Sequence, residues 1–271
     1  MSALVSTLDE LVAGIGDGAT LAVPKDFSGV AMAATRILLR RGVRDLHIVG
    51  VPVCGIQVDI LIGAGAVRTL ETSAVTLGEY GAAPRFTAAV RAGTLQVLDA
   101  TCPTIHGALQ AAEKGLPFMP IRGLIGSDVL AHRRDWQVID NPFQPGDKIV
   151  ALPAIRPDVA LFHAPLADRH GNVWIGRNRE LMTIAHASAA TLVSVEEIVD
   201  RNLLDDPVLA AATIPDLYVT KVAPAPRGAA PLALSGRYPA DADTLAHYAQ
   251  AAKTEEGFRA FLDEWLASAT A

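Results

Sequence analysis

The sequence predicts an α/β fold, a single domain over residues 1–271 with an open, mainly parallel sheet flanked by helices. Three observations carry this. Short apolar runs alternate with helical patterns along nearly the whole chain, the sign of β-α-β units. Hydrophobic residues make up 51% of the chain and aromatics only 5%, so a large core is available, built from Ala, Val, Leu and Ile. There is also no internal repeat and no convincing linker to divide the chain.

Residues 6–15 have a helical pattern, with Leu8, Leu11, Val12 and Ile15 on one face. Ser6 and Thr7 are N-caps, and Glu10 stands three residues after Thr7 as in a capping box. A strand at 20–23 leads into a loop at 24–29. A helix at 30–42 turns Ala34, Leu38 and Leu39 inward and places Arg36, Arg40 and Arg41 outward or at its C-terminal end, where they complement the helix dipole. A second strand follows at 46–53. Further on come a helix or helical turn at 58–64, a strand at 67–70 and an amphipathic segment at 84–92. In that segment Phe86, Ala89 and Val90 oppose Arg85 and Arg91. A strand at 95–98 and a helix at 104–114, ended by Gly115, complete the first half.

Pro117 and Pro120 bracket an extended piece, and 123–130 reads as loop. Residues 137–140 and 148–152 form strands, a small antiparallel addition around the turn at 142–146. A buried strand spans 159–163 and another 191–195. Residues 178–185 fit loop or helix equally, and 198–202 reads as a helical turn. Beyond a strand at 217–222, the Pro- and Ala-rich residues 223–231 form an ordered loop, with Leu232, Leu234 and Tyr238 packed on the body. The C-terminal helical region, 243–265, breaks near 254–257. Its Phe258, Phe261, Leu262 and Trp265 stripe is core packing.

The net charge of −6 and the absence of long like-charge runs argue against a nucleic-acid or anionic-membrane surface. The N-terminus lacks the basic region of a signal peptide, and no apolar run reaches about 18 residues, so a soluble cytoplasmic protein is expected. Cys54 and Cys102 suggest buried or half-buried thiols and no disulfide framework. Neither a dinucleotide-binding glycine fingerprint nor a phosphate loop, zinc spacing or serine-nucleophile elbow is present.

What remains is polar residues placed after strands, where open α/β sheets bind ligands. These are Lys25, Asp26, Phe27, Ser28 and Gly29 after the first strand, Glu79 and Arg85 around a Gly-Ala-Ala-Pro turn, and Cys102 and His106 opening a helix. Glu196 and Glu197 also follow a strand. Each group alone is as readily a capping or loop residue. The cluster Asp168 to Asn172 has the same placement, yet it reads better as a tight structural turn in which Gly171 supplies positive φ.

Five segments in order resemble the α (A) subunit of family I coenzyme A transferases, of the glutaconate CoA-transferase kind. They are Asp59-Ile-Leu-Ile-Gly-Ala-Gly65; Glu79-Tyr-Gly-Ala-Ala-Pro-Arg-Phe86; Gly115-Leu-Pro-Phe-Met-Pro120 with Gly126-Ser-Asp128; Pro157-Asp-Val-Ala with Ala167-Asp-Arg-His-Gly-Asn172; and Pro226-Arg-Gly-Ala-Ala-Pro231 with Tyr238 and Asp241. The resemblance implies a fold similar to that of ribose-5-phosphate isomerase and a homologous β subunit, often in an α2β2 assembly. A nucleophilic glutamate on that β subunit would attack an acyl-CoA through anhydride and glutamyl-CoA intermediates. The coenzyme A thioester is then a substrate, and no bound cofactor or metal is implied. Lys25, Phe27, Ser28, Gly29, Glu79, Arg85, Cys102 and His106 become pocket candidates. Two segments depart from the family pattern. Pro24-Lys25-Asp26 stands before Phe27 where two glycines are expected, and Cys102-Pro-Thr-Ile-His106 brings in a thiol and an imidazole. The first departure keeps open an acyl-CoA hydrolase or a ring-opening carbon–carbon hydrolase of the same fold, and a non-catalytic substrate-binding subunit is a separate alternative.

Overall fold

The computed structural model describes residues 3–268. Its centre is a seven-stranded sheet of β1 (Thr20–Pro24), β2 (Leu46–Val51), β3 (Val67–Thr72), β4 (Gln96–Asp99), β5 (Val159–Ala164), β6 (Ala190–Val195) and β7 (Lys221–Pro224), in the order β7-β6-β5-β1-β2-β3-β4. Every neighbouring pair is parallel, with Leu21 beside Ile48 and Leu161 beside Leu192. The chain winds outward from β1 on one side, then returns to build the other side from β5. The order therefore reverses at β1, the switch point where such sheets leave a crevice at their carboxyl ends. All six residues of β5 are buried, as a strand covered on both faces requires.

Helices cover both faces. One layer holds α1 (Leu8–Val12) and α2 (Met32–Arg40), with Leu11, Leu38 and Ile48 in its core. α3 (Ile56–Gly63) is buried on nearly all sides, so its polar residues need partners. Gln57 donates to Thr35, and Asp59 accepts from Arg85 N and Phe86 N at the start of α4 (Pro84–Ala92). The other layer packs Ile105 and Leu109 of α5 (Cys102–Glu113) against Phe162, with the one-turn α6 (Asp128–His132) nearby. Ile184 of α7 (Glu180–Ala187) joins that layer. The short α8 (Pro207–Ala210) lies at the surface. A third cluster sets Tyr248 of α9 (Ala242–Ala251) and Phe258 and Trp265 of α10 (Glu255–Ala267) against Ile60.

Local chemistry explains many of the boundaries. The Thr7–Glu10 capping box is complete. Thr254 caps α10 through Gly257 N, which produces the expected break. The antiparallel addition is present and gains Phe118–Ile121 as a third strand. Residues 223–231 are ordered, with Leu232 and Leu234 buried. The polar cluster is a turn: Asp168 accepts from His170 N, Asn172 N, Asn172 Nδ2 and Leu203 N, and Gly171 has φ +99°.

The structure corrects several expectations. Residues 198–202 do not form a helical turn. Ile198–Val199 pairs as a strand with Leu166–Asp168, because the Asp168 turn presents its edge there. The expected loop at 123–130 ends by entering α6, and the expected strand at 217–222 begins as a single turn, Asp216–Tyr218, before β7. Residues 178–185, open between loop and helix, are largely α7. Arg36 does not face outward: it is buried with its guanidinium 4.9 Å from the Trp265 ring and donates to Ser268 O. On α4 Phe86 and Ala89 pack on the core and Arg91 faces solvent as expected, but Val90 is exposed and Arg85 is buried, because α10 covers it. Cys102 is exposed, whereas Cys54 is buried as expected.

Candidate functional site

β1 ends at Pro24 and delivers residues 25–29 to the switch point. Lys25 Nζ lies 3.2 Å from Glu180 Oε1, and Ser28 Oγ donates to the same oxygen at 2.5 Å. Burial pushes the Glu180 carboxyl up, but the donors Ser28 and Lys25 outweigh it and hold it below the ordinary range. His106, on α5, is half-buried within electrostatic reach of this pair. Desolvation lowers its imidazole, opposed by Glu180 and helped by Lys25. Lys25, Ser28 and His106 are thus brought together, and the group that gathers them is Glu180.

Gly29 is required where it stands. Its φ is +79°, and a Cβ there would run into the carbonyl oxygen of His163. His163 N donates to Gly29 O at 2.7 Å, so the loop leans across the switch point onto β5. Close approach is made here to the protein's own strand.

Beside the loop opens a cavity of about 540 Å³. Lys25, Asp26 and Phe27 form one side, and Phe27 is 75% exposed. Cys54 and Ile56, at the entry to α3, form another, with Leu245 and Tyr248 of α9 opposite. Glu79 stands exposed on the rim, on a short 3₁₀ turn at Gly78–Tyr80. The walls are almost entirely apolar. Burial pushes the Cys54 thiol up to about 12, so it stays neutral and behaves as a small apolar group. The Tyr248 hydroxyl donates to Asp59 Oδ2 at 2.6 Å.

Asp26 is the unusual member. Its Oδ2 accepts from Ile56 N at 3.1 Å, and its carboxylate packs so closely on Gly55 that a Cβ there would overlap it. It therefore caps α3 from a distant position in sequence. Its Oδ1 is buried without a protein partner. Burial raises this acid to about 6, the Ile56 amide opposing and Asp59 adding slightly.

The other candidates lie apart. Cys102 begins α5 with its thiol 3.4 Å from Ser73 Oγ and away from the cavity. Arg85 turns to the C-terminal helices, with Nη1 3.0 Å from Glu255 Oε2 and its guanidinium 5.4 Å from the Phe258 ring. It holds α4 to α10 and does not line the cavity.

Glu196, which follows β6, lies outside the lining of the cavity and gathers donors of its own. It accepts from His163 Nε2 at 2.7 Å, Tyr238 OH at 2.6 Å, Arg227 N at 2.8 Å and Gly228 N at 3.2 Å. Partial burial works upward, but these donors hold its carboxyl at about 2. An ionised carboxylate can only accept, so His163 carries its proton on Nε2, and Nδ1 accepts from Ser194 Oγ at 2.9 Å. Burial keeps that imidazole below its ordinary range despite the carboxylate.

Reading the sequence did not single out Glu180, Cys54, Leu245 or Tyr248 as parts of the site. No local signal marks them, since they reach it from separate elements. Asp26 stands out in the sequence as one of the polar residues after the first strand and as a departure in its loop, but not as a pocket candidate. Among the described residues no cluster of His, Cys, Asp or Glu could hold a metal, and no helix is long and apolar enough to cross a membrane.

Residues 5–225 match the family described as coenzyme A transferase. The A subunit of glutaconate CoA-transferase from Acidaminococcus fermentans is 34% identical over 256 residues, covering 86% of this chain and 78% of that protein. The cholesterol ring-cleaving hydrolase IpdA subunit of Rhodococcus jostii is 31% identical over 275 residues, covering 96% and 90%. The crystal structure of glutaconate coenzyme A-transferase from A. fermentans superposes with a TM-score of 0.89 at 30% identity, covering 98% of this chain and 89% of that one.

Proposed function

The chain belongs to the coenzyme A transferase family, and from that premise we propose that it is the A subunit of a transferase that moves CoA between an acyl-CoA and a carboxylic acid. It acts with a homologous β subunit, in an α2β2 assembly in the cytoplasm. The supporting observation is the state of its own carboxylates. Glu180 is held by Ser28 and Lys25, Glu196 by four donors, and Asp26 is packed on Gly55 as a helix cap. Glu79, on the exposed rim, stands in water, where an anhydride would hydrolyse. This chain therefore shapes an apolar cavity and leaves nucleophilic attack to a glutamate of the partner.

That glutamate carboxylate adds to the thioester carbonyl and expels CoA thiolate, leaving a mixed anhydride. The thiolate then attacks the glutamyl carbonyl and releases the first acid as its carboxylate, leaving glutamyl-CoA. The acceptor carboxylate runs the two steps in reverse. The apolar walls exclude water while the anhydride exists. Borohydride or hydroxylamine treatment of the complex with acyl-CoA should trap a modified glutamate on the partner. Loss of acyl-CoA without an adduct and without acceptor-dependent product would remove the transferase reading.

A second reading, hydrolysis or carbon–carbon cleavage of the acyl-CoA, is favoured by Asp26. Held near 6 beside the cavity, it suits a general base acting on water. Conversion of the acyl-CoA at the same rate with and without acceptor acid, with CoA released for hydrolysis or a ring-opened acyl-CoA formed for carbon–carbon cleavage, would select this reading.

A further inference from the structure

The walls of the cavity bear on which acyl group it accepts, an inference that rests on the reading of an acyl-CoA substrate. Its volume of about 540 Å³ sits well inside the range of about 300–1,000 Å³ typical of small-molecule sites. That is more room than a five-carbon acid fills. Leu77, Leu232, Leu245, Ile56 and the neutral Cys54 present surface that gains from meeting hydrocarbon.

The charges point the same way. One basic and two acidic side chains line the cavity: Lys25, Asp26 and Glu79. The one base is already paired, 3.2 Å from Glu180. The two acids lie on the loop wall and on the rim. A dicarboxylic acyl group would bring its second carboxylate beside Asp26 and Glu79, with no unpaired base among the residues that line the cavity to receive it. Asp26 also already occupies the amide at the start of α3 that an anion could otherwise reach.

We propose that this cavity holds the acyl part of the thioester, and that this acyl group is apolar and uncharged beyond its reacting carbonyl. Medium-chain, branched and alicyclic monocarboxylic acyl groups fit; dicarboxylic ones are disfavoured.

The test uses the complex reconstituted with its β subunit. Butanoyl-, hexanoyl-, octanoyl- and cyclohexanecarbonyl-CoA are compared with glutaryl-CoA. Equilibrium titration measures binding, and acetate as acceptor measures turnover. Dissociation constants should fall about fourfold for each added methylene until the cavity fills. Glutaryl-CoA should bind at least tenfold more weakly than hexanoyl-CoA. Leu245→Trp, which fills the cavity, should weaken octanoyl-CoA binding at least tenfold and by a larger factor than it weakens acetyl-CoA binding. Asp26→Asn should narrow the gap between glutaryl-CoA and hexanoyl-CoA, and it tests the charge argument even if the tryptophan variant does not fold. A complex that prefers glutaryl-CoA overturns the inference whatever it catalyses. One that binds octanoyl-CoA tightly but transfers nothing supports the inference and removes the transferase reading alone.

Discussion

Asp26 and Glu196 are both carboxylates at strand ends, and their surroundings push them in opposite directions. Asp26 is raised from 3.8 to about 6, chiefly by burial. The unfolded chain releases its proton first, so the stability linked to it is full below about pH 4. That stability falls as pH rises through 4 to 6 and stays reduced above 6. Asp26→Asn removes this titration. Its melting temperature relative to the parent should climb between pH 4 and 6 and then level off, and a flat difference across that range would contradict the assignment. Glu196, held at about 2, contributes stability that is full above about pH 4.5 and is lost as pH falls toward 2. Glu196→Gln places an amide donor among groups that all need an acceptor. Urea titration at pH 7 should show a loss of about 2–4 kcal/mol, shrinking at pH 2–3. Neither effect is legible from residue type, since the first depends on burial and the second on donors, and remote segments supply both.

At the scale of elements, the helix ends were readable wherever the cap was local. Thr7 and Glu10 lie three residues apart, and the box forms as their spacing implies. The 25–29 loop was readable as a loop, but its conformation was not, because Gly29 answers to His163, a strand away. A pair of substitutions separates the two kinds of constraint. Thr7→Ala removes an exposed cap and should cost about 1 kcal/mol. Gly29→Ala meets both a positive φ and a backbone oxygen and should cost about 2 kcal/mol or more. Equal losses in thermal unfolding would mean that the loop yields to the new methyl group. Arg85 shows the limit of amphipathic reading. The helix over Pro84–Ala92 formed as expected, but α10 covers the arginine side, and a single helix's pattern carries no record of what packs on it.

At the scale of the whole molecule, the strand order places the 25–29 loop at the switch point, and the cavity beside it draws on that loop, α3, the 78–80 turn and α9. Of the carboxylates of that region, Glu180, Glu196 and Asp26 hold it together and Glu79 is open to water, so the purified chain should show no robust acyl-CoA turnover alone and should gain it on mixing with the β subunit. Strong turnover by the chain alone would place the nucleophile here and overturn the two-subunit reading. What the sequence by itself determined was the α/β class, the parallel sheet and the family resemblance, because hydrophobic periodicity, turn residues and ordered motifs are local and need no partner to be recognised. Only the tertiary structure decided which polar residues meet. Lys25, Ser28 and His106 gather around Glu180, Asp26 caps a helix about thirty residues away, and Arg85 leaves the site for α10. Charge and hydrogen bonding act over a few ångströms in space, and no rule of spacing along the chain brings those groups within that reach.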